Sequence, residues 1–428
     1  MNSLFHGLPR LGLMVAVIAS PATAMAATAP QDVLSTYGDI AEAIFEDSLF
    51  TAREMQSAVE EFLGNPNDAT LSAARAAWID ARVPYQQSEG LRFGNAYVDE
   101  WEGRVNAWPL DEGLLDYVAD TYGDSSDMNP LYTLNLIAEE QIRIGARQID
   151  ARVIDDALLR ELHEGMGVEA NVATGYHTIE FLLWGQDLNG TGPGAGNRPA
   201  SDYDLNACSN ENCERRAQFL RVATDLLIED LEDMTAAWAT GGATGGAARQ
   251  ELAAKGEEAG LVTILTGIGS LSYGELAGER MRLGLILRDP EEEHDCFSDN
   301  THNSHYYNQV GMIALWRGEY ARVDGSTLSG ASVHDYVMER DPAAVERMDA
   351  AMNEALMRLG EIKSAADSGQ MAYDQMLGVD QPEGNAMIQA AVDALIAQTR
   401  ADEAVVASLG FAIAVEGSDS LDNPALVQ

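Results

Sequence analysis

Apolar residues recur along most of this chain at the spacing of an amphipathic helix. In residues 213–238 they fall at three- and four-residue steps, at Leu220, Ala223, Leu227, Leu231, Met234 and Trp238. Residues 341–363 and 385–410 repeat the pattern, whereas alternating apolar and polar runs of strand length are scarce. Because side chains three or four apart share one face of a helix, each segment is predicted to bury one stripe. The predicted fold class is all-α, built from long antiparallel helices packed in bundles.

A glycine-rich segment, residues 239–249, interrupts this helical pattern near the middle of the chain. Such segments commonly connect separately packed units. We therefore predict a first helical bundle over residues 27–240 and a second over residues 241–428. The halves share a loose plan, which predicts two related antiparallel bundles, each derived from a duplicated four-helix-bundle-like unit.

Residues 1–26 have the layout of a signal peptide. Arg10 precedes a short apolar stretch, and the letters AMA at residues 24–26 match the small-x-small pattern of a cleavage site. We expect cleavage near Ala26 and a mature protein that is periplasmic, or exposed at the cell surface or secreted. Downstream, no apolar run approaches the roughly 18 residues of a membrane-spanning helix.

The three cysteines agree with an exported protein. Cys208 and Cys213 are close enough in sequence to close a small loop as a disulfide, which oxidising compartments permit. Cys296 is then left without a partner, and a lone thiol of this kind is usually buried.

The chain carries a formal net charge of -43, from 69 acidic and 26 basic residues. A surface of this sign repels nucleic acid and anionic membranes, and it suits cations or basic partners. The same excess is typical of proteins that stay soluble in salty surroundings. Charge alone therefore does not predict a metal site.

Two metal-capable side chains lie three residues apart in the apolar stretch GYHTIEFLLWG, residues 175–185. On a helix His177 and Glu180 share one face, with Cβ atoms about 5–6 Å apart. Both could then reach one ion, as Glu-x-x-His pairs do in di-iron bundles. Gly175 would let another helix or a ligand approach closely. The alternative is a core histidine that hydrogen-bonds its neighbouring glutamate.

A zinc-peptidase site can be tested on the same letters. Zincins need H-E-x-x-H, and their inverted relatives need H-x-x-E-H. Here Thr178 and Phe181 stand where those motifs require glutamate or a second histidine. The zinc motif is incomplete, which makes a peptidase the less favoured alternative.

The second half has its own cluster of candidate ligands. Glu275 and Glu279 lie four residues apart on a predicted helix, where they would either face a cation or pair with arginines such as Arg280. The segment EEEHDCFSDNTHNSH, residues 291–305, adds His294, Asp295, Asp299, His302 and His305. The alternatives are an ordinary capped loop or one wall of the first site. A second metal or ligand site is predicted from Glu275, Glu279, Asp299 and His302.

Taken together, these motifs resemble the imelysin family, because GYHTIEFLLWGQD is similar to its G-x-H-x-x-E signature. The likeness extends to WIDARVPYQQSEGLRFG (78–94), NAWPLDEGLLDYV (106–118), SYGELAGERMRLGL (272–285) and EEEHDCFSDNTH (291–302). It spans nearly all of the mature chain and is similar to the iron-regulated protein A branch of that family. The resemblance implies two related helical bundles, export and a link to iron supply.

The resemblance also implies which residues hold the ion. His177 and Glu180 match the histidine and the glutamate of the signature. Glu89 falls at the position of a site carboxylate in the first bundle, and Asp111 and Glu112 match an acidic pair in a loop. One imidazole with several carboxylates suits iron, or else zinc or manganese, better than copper(I).

We therefore predict an exported iron-binding protein of iron uptake or iron homeostasis, whose ion lies in a cleft between the bundles. A metallopeptidase acting on extracellular proteins and a metal-free peptide or small-molecule binding module are the alternatives. The expected partners are the metal ion and a periplasmic redox or transport protein, with no nucleic acid. Coordination requires neutral His177, so affinity is expected to fall as pH drops through the histidine range.

Overall fold

The computed structural model describes residues 27–241 and 245–427, so the predicted signal peptide lies outside the described residues. Helices dominate it, and the prediction of a mostly all-α fold is confirmed. The first seven helices are α1 (Pro30–Gly64), α2 (Asp68–Gln87), α3 (Ala96–Asn106), α4 (Glu112–Leu115), α5 (Asp156–Leu162), α6 (Gly175–Trp184) and α7 (Cys213–Trp238). Those after the glycine-rich segment are α8 (Ala247–Ser270), α9 (Leu283–Leu287), α10 (Thr301–Arg317), α11 (Val333–Met338), α12 (Pro342–Asp367), α13 (Tyr373–Leu377), α14 (Pro382–Ser408) and α15 (Asp419–Asp422).

Several shorter elements connect these helices. A π-helical stretch, Leu271–Arg282, joins α8 to α9. Two antiparallel hairpins are formed by β1 (Gln141–Ile144) with β2 (Arg147–Asp150), and by β3 (Glu319–Ala321) with β4 (Thr327–Ser329). The 3-10 turns are Glu89–Leu91, Asp120–Tyr122, Gly165–Gly167, Ala200–Asp202 and Pro290–Glu292.

The long helices pack in two groups that touch each other. In the first group α1 packs against α2 and α7, and in the second α12 packs against α14. Helix α8 contacts both α1 and α14, and α10 contacts both α2 and α12. These two helices therefore connect the predicted halves. Separately, none of the described helices is long and apolar enough to cross a membrane.

Helix α6 lies in the middle of the molecule, with all ten of its residues buried. It begins at Gly175, where φ is +86° and an added Cβ would lie 2.5 Å from the carbonyl oxygen of Val105 at the end of α3. Only glycine permits this conformation and this approach without strain. The indole of Trp78 also donates a hydrogen bond to the carbonyl oxygen of Tyr176 at 3.0 Å. The close approach expected of Gly175 is thus to a neighbouring backbone, and it fixes the start of the helix that carries His177.

A buried ionic network holds the long segment between α6 and α7. Asp116 accepts hydrogen bonds from Arg198 at 2.7 Å and from the Nε and Nη2 atoms of Arg216 at 2.6 and 2.9 Å. Arg198 also pairs with Asp202 at 3.2 Å. The Cys208–Cys213 disulfide closes the end of the same segment at the first residue of α7. Because buried charges are stable only when paired, this network fixes the chain that leaves α6.

Candidate metal centre

Three buried side chains from two distant segments meet next to α6. His177 comes from the first turn of that helix, and His294 and Asp295 come from the segment between α9 and α10. One ligand atom from each of the three lies within 4.8 Å of the others. The two imidazole rings are 4.7 Å apart between centroids and nearly perpendicular. We call His177, His294 and Asp295 the buried triad.

Glu180 orients the first member of the triad. Its Oε2 atom lies 2.9 Å from His177 Nδ1. Its Oε1 atom accepts hydrogen bonds from the backbone amide of Ser298 at 3.0 Å and from the Ser298 hydroxyl at 2.6 Å. Both carboxylate oxygens are therefore occupied by protein groups. Glu180 is placed to position the imidazole, as carboxylates commonly do behind metal-binding histidines.

Asp295 is held just as firmly. Its Oδ1 atom accepts a hydrogen bond from Arg82 at 2.7 Å, and its Oδ2 atom accepts hydrogen bonds from Asn300 at 3.1 Å and from the Ser304 hydroxyl. Burial opposes its charge, but the Arg82 guanidinium and these hydrogen bonds lower the pKa of Asp295 overall. Asp295 is thus an ionised ligand candidate with a fixed orientation.

The two histidines each keep one free ring nitrogen. Neither Nε2 of His177 nor Nδ1 of His294 has a hydrogen-bond partner among the described residues, and both are buried. Burial, aided by nearby arginines, lowers the pKa of His177 to about 3 and holds the pKa of His294 well below its usual value. The rings are therefore neutral throughout the range in which ordinary histidines titrate. A lowered pKa of His177 favours another group as the source of the pH dependence expected for binding.

Glu89 lies beside the triad without joining it. Its Oε2 atom pairs with Arg280 at 2.7 Å, and its Oε1 atom accepts a hydrogen bond from Asn106 at 2.8 Å. Asn106 also contacts His294 Nε2 at 3.5 Å and receives a hydrogen bond to its Oδ1 atom from Arg82 at 2.6 Å. Glu89 is thus linked to His294 through Asn106, which contacts both side chains.

The π-helical stretch places its charged residues at the edge of the same network. Glu275 pairs with Arg280 at 2.8 Å and lies 3.5 Å from Arg92. This is the arginine pairing that the sequence left open as the alternative to a metal site. π-Helical segments are frequent at functional sites, because the extra residue per turn moves side chains off the regular helical rows.

An acidic cavity of about 530 Å³ leads to His294. Its wall includes His294 and Trp108, whose ring lies 5.9 Å from that imidazole. Among the described residues that line it, the arginines are Arg92 and Arg280, and none is a lysine. Its carboxylates are Asp99, Glu100, Glu102, Glu164, Glu169, Glu275 and Glu279. A concave surface of one sign concentrates ions of the other, so this cavity favours the entry of cations.

The acidic pair Asp111 and Glu112 lines a different cavity, of about 430 Å³. Asp111 accepts a hydrogen bond from Asn129, and Glu112 accepts one from Gln186. Burial, and next the charge of Glu291, raise the pKa of Glu112 to about 8. Trp108 contributes to the walls of both cavities. Asp111 and Glu112 are thus not among the three clustered ligand residues, and the cavity that they line shares Trp108 with the acidic cavity and also contacts Cys296, the residue after Asp295.

The residues predicted to form a second site are divided among three places. Glu275 and Glu279 line the acidic cavity described above. His302 lies 3.2 Å from Asp367 on α12. Asp299 joins Asp187 and Asp374, with one carboxylate oxygen of each within 4.8 Å of the others. Burial and the neighbouring carboxylates raise the pKa of Asp299 to about 7, and burial raises that of Asp374 to about 7.

Sequence reasoning did not include His294 and Asp295 among its metal ligands. The signal was the density of acidic residues and histidines in residues 291–305, for which a second site was predicted and one wall of the first site was an alternative. The same segment also contains Cys296, a buried free thiol that lines the cavity of Asp111 and Glu112. Nothing in the local spacing distinguishes the two residues that reach α6 from those that do not.

The buried triad fits a divalent metal ion by three observations. Two imidazoles each keep one unpartnered nitrogen, and one ligand atom of each lies within 4.8 Å of a carboxylate oxygen of Asp295. His177 Nδ1 lies 2.9 Å from Glu180 and 3.9 Å from Asp295, so two carboxyl groups contact this ring. Two imidazoles with one carboxylate are a donor set of iron(II) sites.

Comparison with known proteins gives the chain its relatives. The sequence model described as imelysin matches residues 41–401. Iron-regulated protein A of Synechococcus elongatus is 36% identical over 64 residues, which is 15% of this chain and only 18% of that relative. The crystal structure of a provisionally named iron-regulated protein A precursor from Parabacteroides distasonis superposes with a TM-score of 0.61. That match is 15% identical and covers 90% of this chain and 96% of the other, so it shows a shared fold.

Proposed function

Because this chain belongs to the imelysin family, we propose that it is an exported metal-binding protein that takes up iron as its cargo. One observation carries the proposal: two buried imidazoles, each with one unpartnered ring nitrogen, come together with the carboxylate of Asp295, one ligand atom of each residue lying within 4.8 Å of the others. A buried polar atom without a partner costs free energy, and binding a ligand recovers it. The similarity to iron-regulated protein A supports iron as the metal.

The ligands in this proposal are His177, His294 and Asp295. The set combines two borderline nitrogens with one hard oxygen, which suits iron(II), with zinc and manganese as competitors. Soft copper(I) is disfavoured, because the group contains no sulfur ligand. The open positions of the ion would face the acidic cavity, through which cargo could enter and leave.

Glu180 takes a supporting role in this proposal. Its hydrogen bond to Nδ1 directs Nε2 of His177 toward the ion, and Ser298 fixes the carboxylate in turn. A metallopeptidase would instead need a glutamate free to activate water. Since both oxygens of Glu180 are engaged, no observation here favours a peptidase, and we assign no bond cleavage.

Anaerobic titration of the purified, chelator-treated protein with Fe(II) tests the proposal. We expect one tight site per chain above the weak binding of the acidic surface. In His177→Ala the affinity of that site should fall by more than about a hundredfold, because loss of even an outer-shell partner of a metal ligand costs 10–100-fold.

His302→Ala is the matched control for this titration. His302 belongs to the same histidine-rich segment as His294 but pairs with Asp367 instead. The control should bind like the parent. Equal, weak binding in the parent and both variants would overturn the proposal and leave only ions held by surface charge.

The pH dependence of Fe(II) binding should depend on Glu180. Burial, and next the charge of Asp295, raise the pKa of Glu180 well above its ordinary value and so favour the protonated carboxyl in the free protein. Nε2 of the neutral imidazole can bind a metal only when the ring proton is on Nδ1. The Nδ1–H group then donates a hydrogen bond to ionised Glu180. Binding then releases the carboxyl proton, and affinity should rise with pH by up to about tenfold per unit.

The Glu180→Gln variant distinguishes a proton released by this carboxyl from one released by the His177 imidazole. The amide has no proton to release, so titrations between pH 5.5 and pH 7.5 should lose most of their slope in the variant. A slope that is unchanged in Glu180→Gln would assign the proton to another group, and this part of the account would be wrong.

A further inference from the structure

A second group of oxygen ligands lies outside the buried triad. Asp187 follows α6, Asp299 precedes α10, and Asp374 lies in the first turn of α13. One carboxylate oxygen from each lies within 4.8 Å of the other two. Three segments that are far apart in sequence therefore bring like charges to one point.

Asp187 and Asp299 are half-buried, and Asp187 Oδ1 accepts hydrogen bonds from the amide and the side chain of Asn189 at 2.9 and 2.8 Å, but the deeper side chains at this point lack partners. Asp374 is 0% exposed, and neither of its carboxylate oxygens has a hydrogen-bond partner. Glu293 is 1% exposed and has an unpartnered Oε2 atom. After burial itself, the negative charges of Asp374 and Asp299 contribute to the raised pKa of Glu293. Among residues 27–241 and 245–427, no arginine, lysine or histidine forms an ion pair with any of these four carboxyl groups.

Acidic groups collected in this way need a positive charge. Buried polar groups are normally hydrogen-bonded, and buried charges are normally paired or bound to a metal. Elsewhere in this molecule the rule holds, since Asp116, Asp295 and Glu89 all contact arginines. At this point the protein supplies carboxylates from several segments and no cation.

We propose that Asp187, Asp299 and Asp374 bind a calcium ion, with Glu293 as a further ligand or a hydrogen-bonded support. The ligands are all hard oxygens without nitrogen or sulfur, a set that suits Ca²⁺, Mg²⁺ or Mn²⁺. This site is separate from the proposed iron site and does not depend on it.

Coordination geometry favours calcium among these ions. Calcium binds oxygen at about 2.3–2.6 Å in flexible geometry, whereas magnesium requires about 2.0–2.1 Å in a strict octahedron. Carboxylates supplied by three separate segments match the flexible geometry more readily than the strict octahedron.

The position of the site gives the ion a structural role. Asp299 is adjacent to Ser298, which holds Glu180 of the iron site, and Asp187 follows the end of α6. A bound Ca²⁺ would fasten the segment that carries His294 and Asp295 to α6 and α13. It would thereby stabilise the fold around the buried triad.

Thermal unfolding of the EDTA-treated protein with and without about 1 mM CaCl₂ in 150 mM KCl tests this inference. Ca²⁺ should raise the Tm of the parent by about 3 °C or more, as expected for a ligand at roughly 100 times its Kd. Both Asp374→Asn and Asp299→Asn should lose the shift. Asp380→Asn, an exposed acidic residue close in sequence, should keep it.

Four results would overturn the inference. These are a parent Tm that does not respond to Ca²⁺, an equal response in all variants, an equal response to Mg²⁺, and a response that disappears in His177→Ala. The first three exclude a calcium site at these carboxylates. The last would mean that Ca²⁺ binds at the buried triad, and it would leave the iron proposal to be judged by its own titration.

Discussion

Replacing His294 with alanine is expected to weaken Fe(II) binding by more than about a hundredfold. His294 supplies one of the two unpartnered imidazole nitrogens of the buried triad. The effect should equal that of His177→Ala, because each variant removes one nitrogen ligand. Anaerobic titration against a competing chelator measures the change.

His334→Ala is the control for this prediction. His334 lies in the second half of the chain, half-buried, with its Nε2 atom 3.4 Å from Asp349. It should leave the affinity unchanged. If His294→Ala binds Fe(II) as tightly as His334→Ala, the triad is not the metal site, whatever the effect of His177→Ala.

The largest expected loss of stability follows from Asp116→Ala. The variant removes the carboxylate shared by Arg198 and Arg216, whose side chains are almost fully buried. Arg198 retains Asp202, and Arg216 retains carbonyl oxygens, so the charges lose part of their compensation rather than all of it. Breaking a buried pair on one side typically costs about 3–5 kcal/mol. Urea unfolding followed by circular dichroism measures the difference.

Glu60→Ala provides the exposed counterpart. Glu60 pairs with Arg221 at 2.7 Å, with both side chains about half exposed. Surface pairs of this kind contribute about 0–1 kcal/mol. Similar losses in the two variants would contradict the view that the Asp116 network fixes the segment between α6 and α7.

Periodicity was enough to predict the fold class. The apolar stripes of residues 213–238 and 341–363 became α7 and α12, because burying such a stripe requires the helix that aligns it. Helix α12 begins at Pro342, directly after Asp341, whose side chain accepts a hydrogen bond from the amide of Ala344. The two-bundle division remains a prediction, and α8 and α10 contact helices on both sides of it.

The site was predictable only where its residues are local. His177 and Glu180 share a helical turn, so their contact follows from spacing alone. Ser298 reaches Glu180 across 118 residues, and no sequence period encodes that distance. The sequence also could not predict which role Glu180 has beside His177. The positioning role that we propose for it rests on its hydrogen bonds from Ser298, which only the structure reveals.

Loop residues were the least predictable. Asp111 and Glu112 were expected to face the metal from their loop, but they line a cavity different from the one that contains His294, and Trp108 contributes to both. Asp299 and His302 are three residues apart, yet one lies with Asp187 and Asp374 and the other pairs with Asp367. Where the backbone is irregular, neighbours in sequence need not share a face.

Anomalous diffraction at the iron absorption edge, from crystals grown anaerobically with Fe(II), tests the central claim most directly. The account predicts one strong peak among Nε2 of His177, Nδ1 of His294 and the Asp295 carboxylate, with Glu180 still hydrogen-bonded to His177. A peak bounded by Asp111 and Glu112, or iron found only on the acidic surface, would contradict it.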